Sequence, residues 1–288
     1  MDGGPRYYMK QSVRTYIMTT ALLASAALAL LIWIAPYVDA SHFRAVATLS
    51  VIALGTHIMG HTLARHTSGS VSFVPFLASA AIAPDWSTAV GVLLVNVIVQ
   101  MVRRRPWDRG VFNICQHTLS IAAAILVYRA FGGTSVLTAP DLPYLALGML
   151  FVAYSAVNST SVSGVVALSD HRPFHEVWVE NNLGTLAYDV IALPMIAGLA
   201  WVYAKYGAPG AFVIAVFLLG LRELYNVNLQ LEKANQELLE LMVAAIEARD
   251  PYTSGHSRRV SEHAKIIAQI VGLRLSVVKR VEIAALLH

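Results

Sequence analysis

The chain has 288 residues, 57% of them hydrophobic and only 13% charged, with a net charge of +4. Soluble domains carry about 25% charged residues, so this composition excludes an ordinary soluble globular protein and points to several membrane spans. A single cysteine, Cys115, excludes an internal disulfide. The basic residues gather at the ends of apolar runs, which indicates membrane topology and not a nucleic-acid polymer as partner.

Apolar runs predict eight spans, at Tyr16–Ala35, Ala45–Ala64, Val71–Ala83, Ser87–Val102, Val111–Tyr128, Leu142–Val166, Leu183–Tyr203 and Gly210–Tyr225. The first is too long for a signal-peptide core, and no small-residue cleavage pattern follows it. A crossing helix needs about 20 residues, so the short third and fourth runs can also be read as a re-entrant pair interrupted by Pro84-Asp85. Either count is even and leaves both ends of the chain on one side. With the N-terminus in the cytoplasm, that side holds Arg6, Lys10, Arg14, Arg65, Arg103, Arg104, Arg105, Arg109 and Arg172, against Arg44, Arg129 and Lys205 opposite. This partition obeys the positive-inside rule.

A faint internal echo runs through this region. Ala83-Pro-Asp-Trp and Ala139-Pro-Asp-Leu each precede a helix pair, and Arg105-Pro-Trp107 and Arg172-Pro-Phe174 precede the second helix of each pair. A parallel duplication accounts for it; so does the frequency of Pro and Asp at helix starts.

Polar side chains inside spans are costly and mark candidate sites. His57 and His61 are four apart and share a helix face, with His66 at the span end. Asn113 and His117 share another face, and Asp189 lies within the seventh run. One expectation is that His57, His61 and His117 hold a metal or haem that is sensed. The ordinary alternative, which also covers Asn96 and Gln100, is interhelical hydrogen bonding. Asp189 is a weak pointer to proton-linked transport.

Beyond the last run, Leu224, Val227, Leu231, Ala234, Leu238, Leu241, Ala245 and Ala248 fall at alternating three- and four-residue steps, and no Pro or Gly interrupts residues 221–249. The pattern predicts one signalling helix that pairs with a second copy as a coiled coil, or a plain amphipathic helix packed on its own domain. Pro251 ends it. Thr253 or Ser254 is a plausible N-cap for a second helix, with His256 in its first turn, a stripe of Val260, Ala264, Ile267 and Val271, and an end at Gly272. Ser276 is expected to cap a third helix with Val277, Val281 and Ala284 on one face, continued by His288.

Two histidines on separate helices do not establish a metal site. Arg249-Asp-Pro-Tyr-Thr-Ser-Gly-His-Ser-Arg-Arg-Val260, followed by Ala-Ala-Leu-Leu-His288, resembles the opening of an HD-GYP domain. The motif of that family is written loosely Arg-Asp-x-x-Thr-x-x-His-x-x-Arg-Val, and the later run leads into its His-Asp pair. The resemblance covers roughly residues 240–288.

It implies an all-α protein in three parts: a polytopic membrane sensor at 1–220, the connecting helix at 221–249, and the N-terminal fragment of a metal-dependent phosphohydrolase at 250–288. His256 and His288 would be ligands of a two-metal centre of iron or manganese. Asp250 and Thr253 would shape the turn, and Arg259 would orient acidic residues, approach phosphate, or serve structure alone. Tyr252 stands where some family members carry a Glu for a third metal. His263 matches no motif position and reads as structural. The implied substrate is cyclic di-GMP, and the implied location is the inner membrane of a bacterium with both termini cytoplasmic. The fragment is expected to bind metal poorly and not to hydrolyse cyclic di-GMP unless completed. The competing functions are a non-catalytic receptor with a degenerate domain, a transporter with a regulatory tail, and an HD-type hydrolase for another nucleotide.

Overall fold

The computed structural model describes residues 11–59, 73–104, 106–139, 141–183, 186–247, 256–273 and 275–286. All regular structure among them is helical. The chain divides into two compact units, Met1–Leu219 and Gly220–His288.

The first unit contains α1 (Gln11–Ile34), α2 (Ala40–Met59), α3 (Phe73–Ile82), α4 (Trp86–Arg103), α5 (Trp107–Ala130), α6 (Tyr144–Asp170), α7 (Phe174–Leu183) and the opening part of α8 (Leu186–Glu247). Among the described residues five helices are long and apolar enough to cross a membrane: α1, α4, α5, α6 and the stretch Ala192–Phe217 of α8. They mark this unit as a membrane protein. The expected eight spans are not what the helices show, for three physical reasons. α2 has 20 residues but carries His42, Arg44 and His57, and it is not among the five. α3 has 10 residues, about 15 Å at 1.5 Å per residue, half of the ~30 Å hydrocarbon core. The seventh and eighth runs are two helices that meet at a break at Gly207 (φ 65°, ψ −155°), numbered together as α8, and a single candidate span, Ala192–Phe217, runs across that break. That conformation is open to glycine and strained for other residues.

α3 sits at the centre. Every residue from Val74 to Ile82 is buried, with α2, α4, α5 and α6 packed around it. Leu49, Leu77, Ile121, Ile125, Leu150 and Ile196 fill the core. Small residues let these helices approach closely. A Cβ added at Gly91 of α4 would stand 2.6 Å from Val46 Cγ1 and 2.9 Å from Ser50 Oγ of α2.

Helix boundaries follow local chemistry. Asp85 caps α4, its Oδ1 accepting from the Ser87 amide at 2.9 Å. α4 ends on Arg104 (φ 47°) and α6 on His171 (φ 56°), both left-handed, and each is followed by Arg-Pro-aromatic opening the next helix. The sequence echo thus has a left-handed end residue in common at its two turns. Its other half diverges: Asp85 caps α4 directly, whereas Asp141 precedes α6, whose N-cap is Pro143.

Cross-helix contacts define two ends. Tyr16 Oη donates to the Ser161 carbonyl at 3.2 Å, and Arg103 Nη2 donates to the His57 carbonyl at 2.7 Å. The start of α1, the ends of α2, α4 and α6, and the start of α5 therefore share one end of the unit. Arg14, Arg103, Arg104, Arg109 and Arg172 lie there. The other end holds the start of α2, the α3–α4 turn and the end of α5, with Arg44 and Arg129.

The second unit holds the rest of α8 with α9 (His256–Ile270) and α10 (Leu275–Leu286). Gly272 (φ 77°) ends α9 as expected, with the Leu273 amide reaching back to the Ala268 carbonyl at 3.1 Å. α9 and α10 form an antiparallel hairpin. Ser261 Oγ donates to the Glu282 carbonyl, and Lys265 Nζ pairs with Glu282 Oε1, both at 2.8 Å. The expected stripes are shifted. Ser261 and Ala268 are the buried positions of α9, whereas Ile267 and Val271 are 61% and 67% exposed. In α10 Val278 is buried and Ala284 is exposed. A single partner helix covers only a narrow strip, so the broad apolar face of α9 at Ile266, Ile270 and Val271 stays open. α10 starts at Leu275, which places Ser276 inside its first turn and not at its cap.

Candidate functional site

His256 is the first residue of α9, and both it and Arg259 are exposed. Asp250, Tyr252, Thr253 and His288 lie outside the described residues. The hairpin register still bears on the motif. From the Ser261–Glu282 bond, five residues lead back to His256 and four lead on to Leu286. At 1.5 Å per residue these rises are about 7.5 Å and 6 Å. The start of α9 and the end of α10 therefore lie at the same end of the hairpin. The His256 imidazole is exposed at that end. No group of three or more His, Cys, Asp or Glu able to hold a metal occurs among the described residues.

In the membrane unit the structure brings together two of the expected sensor residues. His57 of α2 and His117 of α5 have ring centroids 6.4 Å apart, edge to face at 80°. Phe76 of α3 lies 6.2 Å from the His57 ring, and Tyr154 Oη of α6 lies 3.4 Å from His117 Nδ1. Four helices thus meet on one imidazole pair. His61 and the side chain of Asp189 lie outside the described residues. Asn96 serves its own helix, donating to the Val92 carbonyl at 2.8 Å, and the Gln100 amide lies against Gly110. The Asn96 bond lies within α4 and not between helices, as the ordinary reading expected.

Sequence reasoning missed a second cluster at the opposite end. His42 Nδ1 lies 2.7 Å from Asp85 Oδ2 and His42 Nε2 lies 3.2 Å from Ser135 Oγ. Asp85 is 4% exposed and also accepts from the Ser87 amide and hydroxyl. Asp85 was visible as the residue after Pro84. Nothing in the spacing pairs it with His42, 43 residues earlier, or with a serine in a Gly-Gly-Thr-Ser loop. The segment after α6 was equally hidden: Arg172 forks onto Glu180 through Nη1–Oε2 at 2.9 Å and Nη2–Oε1 at 2.6 Å. This contact raises the guanidinium pKa and holds the Glu180 carboxyl below its usual range, the hydrogen bond being the larger cause.

No family model, no curated protein and no solved structure matches the chain. The functional reading therefore rests on its own residues and their geometry.

Proposed function

We propose that the chain is the membrane sensor and the opening of a signalling phosphohydrolase, which in complete form hydrolyses cyclic di-GMP at a two-metal centre on the cytoplasmic side of a bacterial inner membrane. The observation that carries this reading is the contiguous block Arg249–Val260 with a second histidine at His288. The hairpin supports it, because the start of α9 and the end of α10 lie at one end.

Two divalent ions, iron or manganese, would supply an activated water and neutralise phosphate oxygens. The chain's own contribution is to bring imidazoles from two helices to that site. His256 and His288 are the proposed ligands, with Arg259 one turn from His256 as a cation for carboxylate or phosphate. The remaining ligands would come from sequence beyond His288. The arginine-rich end of the membrane unit is the proposed cytoplasmic end. α8 carries Val227, Leu231, Leu238 and Leu241, which are 42%, 55%, 58% and 66% exposed, at heptad-like spacing. In this reading a second copy covers that seam, and a shift or rotation of the paired helices conveys the sensor's state.

Turnover of cyclic di-GMP by the full-length membrane protein tests the proposal. The wild type is expected to hydrolyse it with added manganese or iron, and His256→Ala to lose that activity. Undiminished turnover in His256→Ala removes the proposed ligand, and an inert wild type favours a non-catalytic receptor.

A further inference from the structure

Three elements at the end of the membrane unit opposite the arginine-rich end meet on one imidazole. His42 stands in the first turn of α2, Asp85 in the α3–α4 turn, and Ser135 in the segment between α5 and α6. Counting donors shows what this geometry requires. The Ser135 hydroxyl has one proton, and it is directed at the carbonyl of Ile82, the last residue of α3. A carbonyl cannot donate, so that proton is committed. The same oxygen accepts from the Leu137 amide at 3.3 Å. The 3.2 Å contact to His42 Nε2 is then a hydrogen bond only if Nε2 donates. On the other side of the ring, the 2.7 Å contact to Asp85 needs a proton between Nδ1 and Oδ2. With every one of these contacts made as a hydrogen bond, the cluster holds one proton more than a neutral imidazole beside a carboxylate.

The charged groups around the ring are few. On its own element Asp39 caps the start of α2 and Arg44 follows two residues on. The α3–α4 turn offers Asp85, and α5 offers Arg129, whose Nη1 donates to the Pro84 carbonyl at 3.0 Å. Among the described residues, the segment after α5 contacts it through the uncharged Ser135. Among the described residues, His42 is thus the one basic side chain in direct contact with the buried Asp85 carboxyl.

We propose that His42, Asp85 and Ser135 form a proton-binding site by which the membrane unit reads the acidity at that end of the bilayer. This rests on the sensor reading above and names its ligand. With the extra proton bound, Ser135 holds the carbonyl of Ile82 while the Val136 amide holds that of Ala81 at 3.1 Å, so the segment after α5 is fastened to the end of α3. Without it, Nε2 becomes an acceptor facing an oxygen whose proton points elsewhere. The hydroxyl must then turn from Ile82 towards the ring, or the contact must open. The first change releases one of the two fastenings on α3, the helix at the centre of the unit; the second frees the segment after α5 from α2.

The test uses the full-length protein in lipid nanodiscs, with nitrogen-15 histidine spectra and amide exchange followed from about pH 5 to about pH 9, where histidines titrate. The expected result is a doubly protonated His42 ring at the acid end that loses a proton within the range. With that loss, Val136 protection, corrected for intrinsic exchange, should fall about tenfold or more. His42→Gln should remove the pH step at Val136. A ring that stays in one form throughout, or a Val136 amide indifferent to pH, overturns the proposal, as does an unchanged step in His42→Gln. Should that variant not fold, the wild-type titration alone decides. No arm reads nucleotide hydrolysis, so a failure here is separate from a failure of the phosphohydrolase reading.

Discussion

A carboxylate at Asp85 satisfies two needs at once. It caps α4 through the Ser87 amide and pairs with His42 across to α2. Burial makes it intolerant of losing either function, because a buried charge without its partner is costly. Asp85→Ala is expected to destabilise the membrane unit by about 1–3 kcal/mol, the usual effect of leaving buried hydrogen-bonding groups without their partner, in reversible unfolding from mixed micelles. A loss under about 1 kcal/mol, within the range of a helix cap alone, would show that the pair contributes little. Legibility at this scale was uneven. His57 and His117 stood out as histidines inside apolar runs, and they do meet. His42 was masked by its position at the edge of a span, where polar residues are ordinary. Ser135 lay in a loop with no pattern to read.

Elements were legible where periodicity and punctuation agreed. Gly272 ended α9, and the apolar stretches of α1, α4, α5 and α6 are long helices in the structure. They were illegible where packing decides. α3 and α4 are both apolar, but only α3 is enclosed on all sides by other helices. In the hairpin the buried positions of α9 are likewise Ser261 and Ala268, beside the bonds from Ser261 and Lys265 to Glu282. Two predictions belong here. Gly91→Leu forces side-chain atoms into the α2–α4 contact, an overpacking worth about 1–3 kcal/mol. It should lower the thermal midpoint of the membrane unit, whereas Gly148→Leu, where a Cβ meets nothing within 4 Å, should not. The Arg172–Glu180 fork gives α7 an acid-sensitive attachment. The carboxyl pKa is depressed in the folded state, so the stabilisation is present above the ordinary glutamate range and is lost as pH falls through the folded value. Exchange protection of α7 amides should drop on acidification at low salt, and less so at high salt, because both groups are solvent-exposed and screened. Protection that is constant in acid would argue against the fork.

For the whole molecule, the division of charge between the two ends is the broadest regularity. Cross-helix contacts put five arginines at one end and two at the other among the described residues. The sequence anticipated this partition from loops alone, although the described helices show five candidate spans against its eight, because positive residues flank helix ends however the intervening segments pack. With the arginine-rich end inside, a cysteine in Thr138→Cys should react with an impermeant thiol reagent added outside intact cells, and one in Asp170→Cys should not. The opposite labelling would invert the proposed orientation and place the His42 cluster in the cytoplasm. The seam of α8 makes a matching prediction about assembly: Leu241→Cys in membranes should cross-link to a second copy, and a persistent monomer would leave the signalling helix without its partner.

The central claim is that His256 and the residue thirty-two positions later, His288, converge on shared metal ions. A structure of the full-length protein grown with manganese tests this most directly. Both imidazoles bonded to one metal pair at the open end of the α9–α10 hairpin is the expected result. Rings held apart, with metal absent or bound elsewhere, would contradict it.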